Sequence, residues 1–145
     1  MNRFPPVASL LPHSGPAVLL DEILAADEGS VTCRLVVRAD SPGSTDGRVP
    51  AAIVMEYMAQ AVGVFAGLRG LHRGEAPRVG YLLGTRELTV EADSLSAGDV
   101  LEVEARSDLG DEDLGSFACT AWRQGSRIAV GDLKVYLVPR ESEPR

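Results

Sequence analysis

The stretch from Val49 to Leu68 reads Val-Pro-Ala-Ala-Ile-Val-Met-Glu-Tyr-Met-Ala-Gln-Ala-Val-Gly-Val-Phe-Ala-Gly-Leu and is the longest apolar run in the chain. It predicts a single helix. Pro50 suits the first helical position, where its missing N–H breaks no internal bond, and Arg69 with Gly70 supplies a basic last turn and a stop. Apolar residues occur all round this helix, so it should be wrapped by protein on several sides. Its length would also cross a bilayer, for which about 20 apolar residues suffice. An unpaired Glu near the centre would, however, cost roughly 2.5 kcal/mol or more, and the remaining chain alternates like soluble strands. No membrane partner is expected.

Glu56 and Gln60 are the two polar side chains in the run, and being four apart they share a face with or beside Ala52, Ala59, Gly63 and Gly67. Such a small-residue stripe lets another backbone or a narrow ligand come close. Burial there would favour the protonated carboxyl of Glu56 unless a cation or several donors compensate. Glu56 lies about a turn too deep for the helix dipole to explain it, which favours a functional over a structural reading.

The 145 residues are enough for one domain with its own core, spanning the whole chain. A net charge of −7 argues against nucleic acid, which needs a concentrated basic surface, so an anionic partner must be met by local arginines. Cys33 and Cys119 fall in apolar strand-like segments without CxxC spacing. With two histidines in the chain, a metal site is not expected. The thiols read as core residues of a protein in a reducing cytoplasm. Arg3 is followed by Pro5 and Pro6, which is unlike a signal peptide.

Along the chain, residues 5–13 allow one short helical turn before Pro12 and leave His13 at a turn. Residues 17–26 and 31–38 read as a first antiparallel pair joined at Asp27-Glu28-Gly29-Ser30, and 40–47 as a turn-rich loop leading to the helix. A second loop, 71–77, carries His72. Four further strands are expected at 79–92, 99–109, 115–124 and 127–138, the second alternating Leu101, Val103 and Ala105 against Glu102, Glu104 and Arg106. After Pro139 the tail is charged and expected to be disordered. Two strands, one helix and four strands make an α+β domain, with a mostly antiparallel sheet curled around a buried helix.

No nucleophile elbow, Walker loop or dinucleotide fingerprint occurs, so carboxylate and imidazole chemistry remain, and no cofactor is called for. The segments Leu11-Pro12-His13 with Pro16 and Leu19-Leu20-Asp21, then Pro50 leading into Met55-Glu56-Tyr57-Met58-Ala59-Gln60-Ala61, then Ser94-Leu95-Ser96-Ala97-Gly98-Asp99-Val100-Leu101, together resemble the 3-hydroxyacyl-acyl-carrier-protein dehydratases of the hotdog superfamily. The chain is most similar to the branch found with aryl-polyene type biosynthesis. The resemblance implies a hotdog fold and a homodimer with its site at the subunit interface. It also implies acyl carrier protein as partner, and dehydration of a 3-hydroxyacyl thioester to a trans-2-enoyl thioester. There is one departure: the family's catalytic histidine stands some fourteen residues before the helix Glu, and residues 40–49 here contain none.

Such an elimination needs a base near neutral pH, donors for the developing oxyanion and an acid for the leaving hydroxyl. The expected assignment is His13 as base, Glu56 as acid, Gln60 orienting it, and the N–H groups of Ala51 and Ala52 at the helix start polarising the thioester oxygen. Arg69, Arg73 and Arg78, with Arg86, are candidates to meet the carrier protein or its phosphopantetheine phosphate. The rival readings are a hotdog thioesterase, in which Glu56 activates a water, and a non-catalytic acyl-thioester binder.

Overall fold

The computed structural model of the chain describes residues 4–12, 15–74, 80–110 and 114–137. Two short 3-10 turns, Val7–Ser9 and Gly15–Ala17, precede β1 (Glu22–Ala26), β2 (Ser30–Val36) and β3 (Arg48–Pro50). A third, Ala51–Ile53, runs directly into α1 (Val54–His72). There follow β4 (Gly80–Val90), β5 (Ser94–Ser96), β6 (Val100–Gly110), β7 (Leu114–Arg123) and β8 (Ser126–Leu137). Six strands form one sheet in the order β1-β2-β6-β7-β8-β4, with every neighbouring pair antiparallel. β3 and β5 form a separate short pair beside the helix start.

The expected α+β hotdog architecture is the observed one. Strand alternation sets which face carries the helix: Leu101, Val103 and Ala105 of β6 are wholly buried, while Glu102 and Arg106 between and beyond them are exposed. Cys33 on β2, Cys119 on β7 and Leu133 on β8 lie on the same inner face, each fully buried. Burial pushes both thiols up to about 12. From α1, Val54, Tyr57, Met58, Ala61, Val64 and Phe65 fill the trough, and Phe65 meets Phe117 edge to face at 5.6 Å. Together with Gln60 and Val62 these span roughly 200° of the helix circumference at about 100° per residue, which is why the run shows no narrow apolar stripe. The segment 51–72 is long and apolar enough to cross a membrane by length and composition, and half of its most apolar window is buried inside this fold.

Several expectations are corrected. The helix does not stop at Gly70 but continues to His72, so Leu71 and His72 are helical and not part of a loop. The stop is Gly74, whose positive φ of 73° a side chain would strain, and Arg73 and Gly74 donate back to the carbonyls of Gly70 and Leu71. At the other end the 3-10 turn takes up Ala51–Ile53, so Glu56 falls in the first turn of α1, not a turn too deep for the helix dipole. The strand expected from residue 17 begins only at Glu22. β3 and β5, both three residues long, are too short to show a period in sequence.

Candidate active site

Gln60 is the fulcrum of the site. It is 1% exposed, and its Oε1 accepts the Leu19 N–H at 2.9 Å while its Nε2 donates to the Ala17 carbonyl at 2.7 Å. Those two backbone groups have fixed polarity, so the amide has one permitted orientation. The same Nε2 donates to Oε1 of Glu56 at 3.1 Å. The i, i+4 spacing read in the sequence thus becomes a direct contact.

Glu56 itself departs from the sequence reading: it is exposed in the single chain, not buried. The small stripe explains why. A Cβ at Gly63 would stand 2.7 Å from a methyl of Leu11, and one at Gly67 would stand 2.5 Å from the Leu10 carbonyl oxygen. The stripe is therefore filled from Gly63 onward by the chain's own N-terminal segment, leaving Ala52 and Glu56 open at the helix start.

A second polar grip holds the stretch 16–19, where the 3-10 turn Gly15–Ala17 runs on toward β1. Nη2 of Arg38 donates to the carbonyls of Pro16 at 3.1 Å and Val18 at 2.8 Å. Gln60 takes the alternate groups, Ala17 C=O and Leu19 N–H, from the other side. With these backbone groups taken up, the chain first meets β2 at Asp21, whose N–H donates to the Arg34 carbonyl, and β1 begins at Glu22. Arg38 is in turn fastened to the helix, because Ser41 Oγ donates to the Arg38 carbonyl at 2.5 Å and Ser41 is hydrogen-bonded to the buried Tyr57 hydroxyl. Burial pushes the Tyr57 phenol up to about 12, opposed by the Ser41 bond and the Arg38 charge. Sequence reasoning missed Arg38 and Ser41, since nothing local marks an arginine after an alternating strand or a serine in a turn-rich loop.

Pro50 precedes the helix with φ −55° and ψ 135°, without a side-chain cap. The first N–H groups, those of Ala51 and Ala52, have no partner within the helix. Ala52 stands about one turn before Glu56, and both are exposed, while Ala51 is buried. Beside Pro50 opens a depression of about 620 Å³ whose lining includes Thr45, Asp46, Arg48, Asp93 and Ser94. At the opposite end of α1, Arg69 is exposed and lies over the Phe65 ring, 5.6 Å from its centroid, and Arg73 caps the helix. His13, Arg78, the turn 111–113 and the tail after Pro139 lie outside the described residues. Among the described residues no group of three or more His, Cys, Asp or Glu is arranged to hold a metal.

An antiparallel sheet curled round one long helix, with a carboxylate hydrogen-bonded to a buried glutamine near the helix start, defines a hotdog protein. Residues 5–144 match the family described as ApeP-like, ApeP dehydratase. The chain belongs to the ApeP-like dehydratase family and is a dehydratase. It is 33% identical to a chain in the solved structure of the dehydratase heterocomplex ApeI:P from Xenorhabdus doucetiae, with a TM-score of 0.89 over 96% of this chain and 95% of that one. It is 29% identical over 143 residues to the 3-hydroxyacyl-[acyl-carrier-protein] dehydratase FabZ of Chlamydia trachomatis, covering 94% of this chain and 92% of the relative. A hypothetical thioesterase from Streptococcus pneumoniae superposes with a TM-score of 0.61 at 14% identity, which bears on the fold alone.

Proposed function

We propose that this chain, acting as one hotdog domain, removes water from a 3-hydroxyacyl thioester on acyl carrier protein in fatty-acid or polyene-type biosynthesis. The product is a trans-2-enoyl thioester. The observation that carries the reading is the hydrogen bond from the buried Gln60 amide to the Glu56 carboxylate in the first turn of α1, in a chain of a dehydratase family. In the reaction a base takes the α-proton, the N–H groups of Ala51 and Ala52 hold the charge that develops on the thioester oxygen, and Glu56 gives its proton to the departing hydroxyl.

His13 is the proposed base. It is four residues from Ala17, whose carbonyl is bonded to the same Gln60 that orients Glu56, so an extended chain holds it within about 14 Å of that point. His72 is sixteen residues beyond Glu56 on one helix, which separates the two by about 24 Å. Arg69, Arg73 and Arg78 are proposed to meet the carrier protein or its phosphopantetheine phosphate, a role suited to the far end of the helix and not to the reacting carbonyl.

The exposure of Glu56 in the single chain is a reason to propose that a second subunit closes the site. Among the described residues β4 pairs on one side only, with β8, and its Leu82 and Leu83 are exposed. An open apolar edge of this kind favours pairing. A soluble cytoplasmic homodimer is the proposed assembly. The name of the Xenorhabdus heterocomplex favours, as a second reading, an unlike dehydratase subunit in the same place.

The deciding experiment offers a 3-hydroxyacyl-carrier protein and follows it by intact mass. Wild type should show loss of water. Glu56→Gln, equal in size but without an acidic proton, should abolish turnover, and His13→Ala should lower it by about 10²-fold or more, the usual worth of a positioned base. His72→Ala should change little. Substrate returned intact, or stripped of its acyl group, would overturn the reading.

A further inference from the structure

We propose that Arg38 is a positioning residue for the elimination: by gripping the Pro16 and Val18 carbonyls it keeps the strap 16–19 in phase with Gln60, and so keeps the Gln60 amide aimed at Glu56. The inference rests on the dehydratase reading given above and adds a residue that does not touch the reacting atoms.

The contacts form a closed circuit that leaves the helix and returns to it one turn away. Tyr57, next to Glu56 in sequence, is bonded through its buried hydroxyl to Ser41. Ser41 donates to the Arg38 carbonyl through both its Oγ, at 2.5 Å, and its N–H, at 3.2 Å. The Arg38 guanidinium then reaches across to the strap, holding Pro16 C=O and Val18 C=O. Alternate groups of the same strap, Ala17 C=O and Leu19 N–H, close on Gln60, and Gln60 donates to Glu56.

The interleaving of the two sets of bonds is what makes the circuit a positioning device. Pro16 and Ala17 end the 3-10 turn Gly15–Ala17 and Val18 and Leu19 follow it, so the Pro16 and Val18 carbonyls held by Arg38 interleave with the Ala17 carbonyl and Leu19 N–H held by Gln60, and a roll of the segment would disturb both sets. If the strap rolled, Gln60 would lose the partners that fix which end of its amide faces Glu56. An amide free to turn would present its carbonyl oxygen to the carboxylate part of the time, where it can donate nothing. Few other bonds hold the strap: its residues lie outside the main ladder, which β1 joins only at Glu22. Because one nitrogen, Nη2, makes both bonds, the three donors of a lysine ammonium can stand in for it.

The test uses the full chain with 3-hydroxyacyl-carrier protein and compares Arg38→Met, Arg38→Lys, Gln60→Ala and the Arg38→Met/Gln60→Ala pair. Arg38→Met should lower kcat by about 10- to 10²-fold, the scale of a misplacement near 1 Å, with KM little changed. Arg38→Lys should recover most of the loss. If Arg38 acts through Gln60, the double variant will be no slower than Gln60→Ala alone. Should Arg38→Met fail to fold, Arg38→Gln, whose shorter side chain ends before both carbonyls, should give the same loss. Hydrogen exchange, read without substrate, should show the Leu19 amide protected in wild type and exposed in the Arg38→Met or Arg38→Gln protein. A kcat within twofold of wild type, losses that simply multiply in the double variant, or unchanged Leu19 protection would overturn the proposal. Wild type that leaves the substrate intact would instead overturn the dehydratase reading, and the exchange measurement would still decide the role of Arg38.

Discussion

Replacing Gln60 by leucine separates what this side chain does for the fold from what its neighbour does for the chemistry. Leucine is similar in volume, so little cavity forms, but it offers neither the acceptor that Leu19 N–H uses nor the donor that Ala17 C=O uses. Leu19 is buried, and stranding its N–H should cost about 1–3 kcal/mol, the penalty for a buried donor left without a partner. Ala17 is exposed and water can replace the lost donor, so its share is an ordinary hydrogen bond of about 0.5–1.5 kcal/mol. The sum is a loss of about 1.5–4.5 kcal/mol. Urea unfolding followed by the fluorescence of Trp122, the chain's single tryptophan, measures it. The variant should show a lower midpoint at unchanged slope, compared at one protein concentration because subunit pairing adds to apparent stability. Glu56→Gln, at an exposed position, should stay within about 0.5 kcal/mol of wild type while losing turnover. A Gln60→Leu protein that unfolds within about 0.5 kcal/mol of wild type would refute the claim that Gln60 holds the strap.

Gly67→Ala should destabilise the protein although alanine is the better helix former by about 1 kcal/mol. The new Cβ would stand 2.5 Å from the Leu10 oxygen and 2.9 Å from the Leu10 Cβ, an overpacking that costs about 1–3 kcal/mol. A raised Tm would mean that the N-terminal segment does not lie against the helix in solution. Cys33 and Cys119, both pushed up to about 12 by burial, should resist a thiolate-selective reagent at pH 8 in the native state and react once urea unfolds the chain. Native labelling of either would place it at the surface. Light scattering should report a pair of chains at micromolar concentration, and Leu83→Lys on β4, at a position 58% exposed in the single chain, should shift it toward single chains. A wild-type mass of one chain, turning over substrate unaided, would remove the shared-site arrangement.

Much of this was legible locally. The period-two alternation of β6, the Gln124-Gly125 turn between β7 and β8, and the apolar helix all depend on residues within a few positions of one another, and all appear where the sequence put them. The Glu56–Gln60 contact belongs to the same group, because four residues make one helical turn in any context. What the sequence left open depended on partners far along the chain. Gly63 and Gly67 announced a close approach but not that Leu11 and Leu10 make it. The strand expected from residue 17 was taken apart by Arg38 and Gln60, which lie some 20 and 43 positions away from the carbonyls they hold. Glu56 reads as buried when its neighbours are counted and is exposed once they are folded, because the apolar arc of α1 turns toward the sheet and leaves the face with Ala52 and Glu56 outside. Periodicity tells which residues share a face; only the tertiary contacts decide what that face meets.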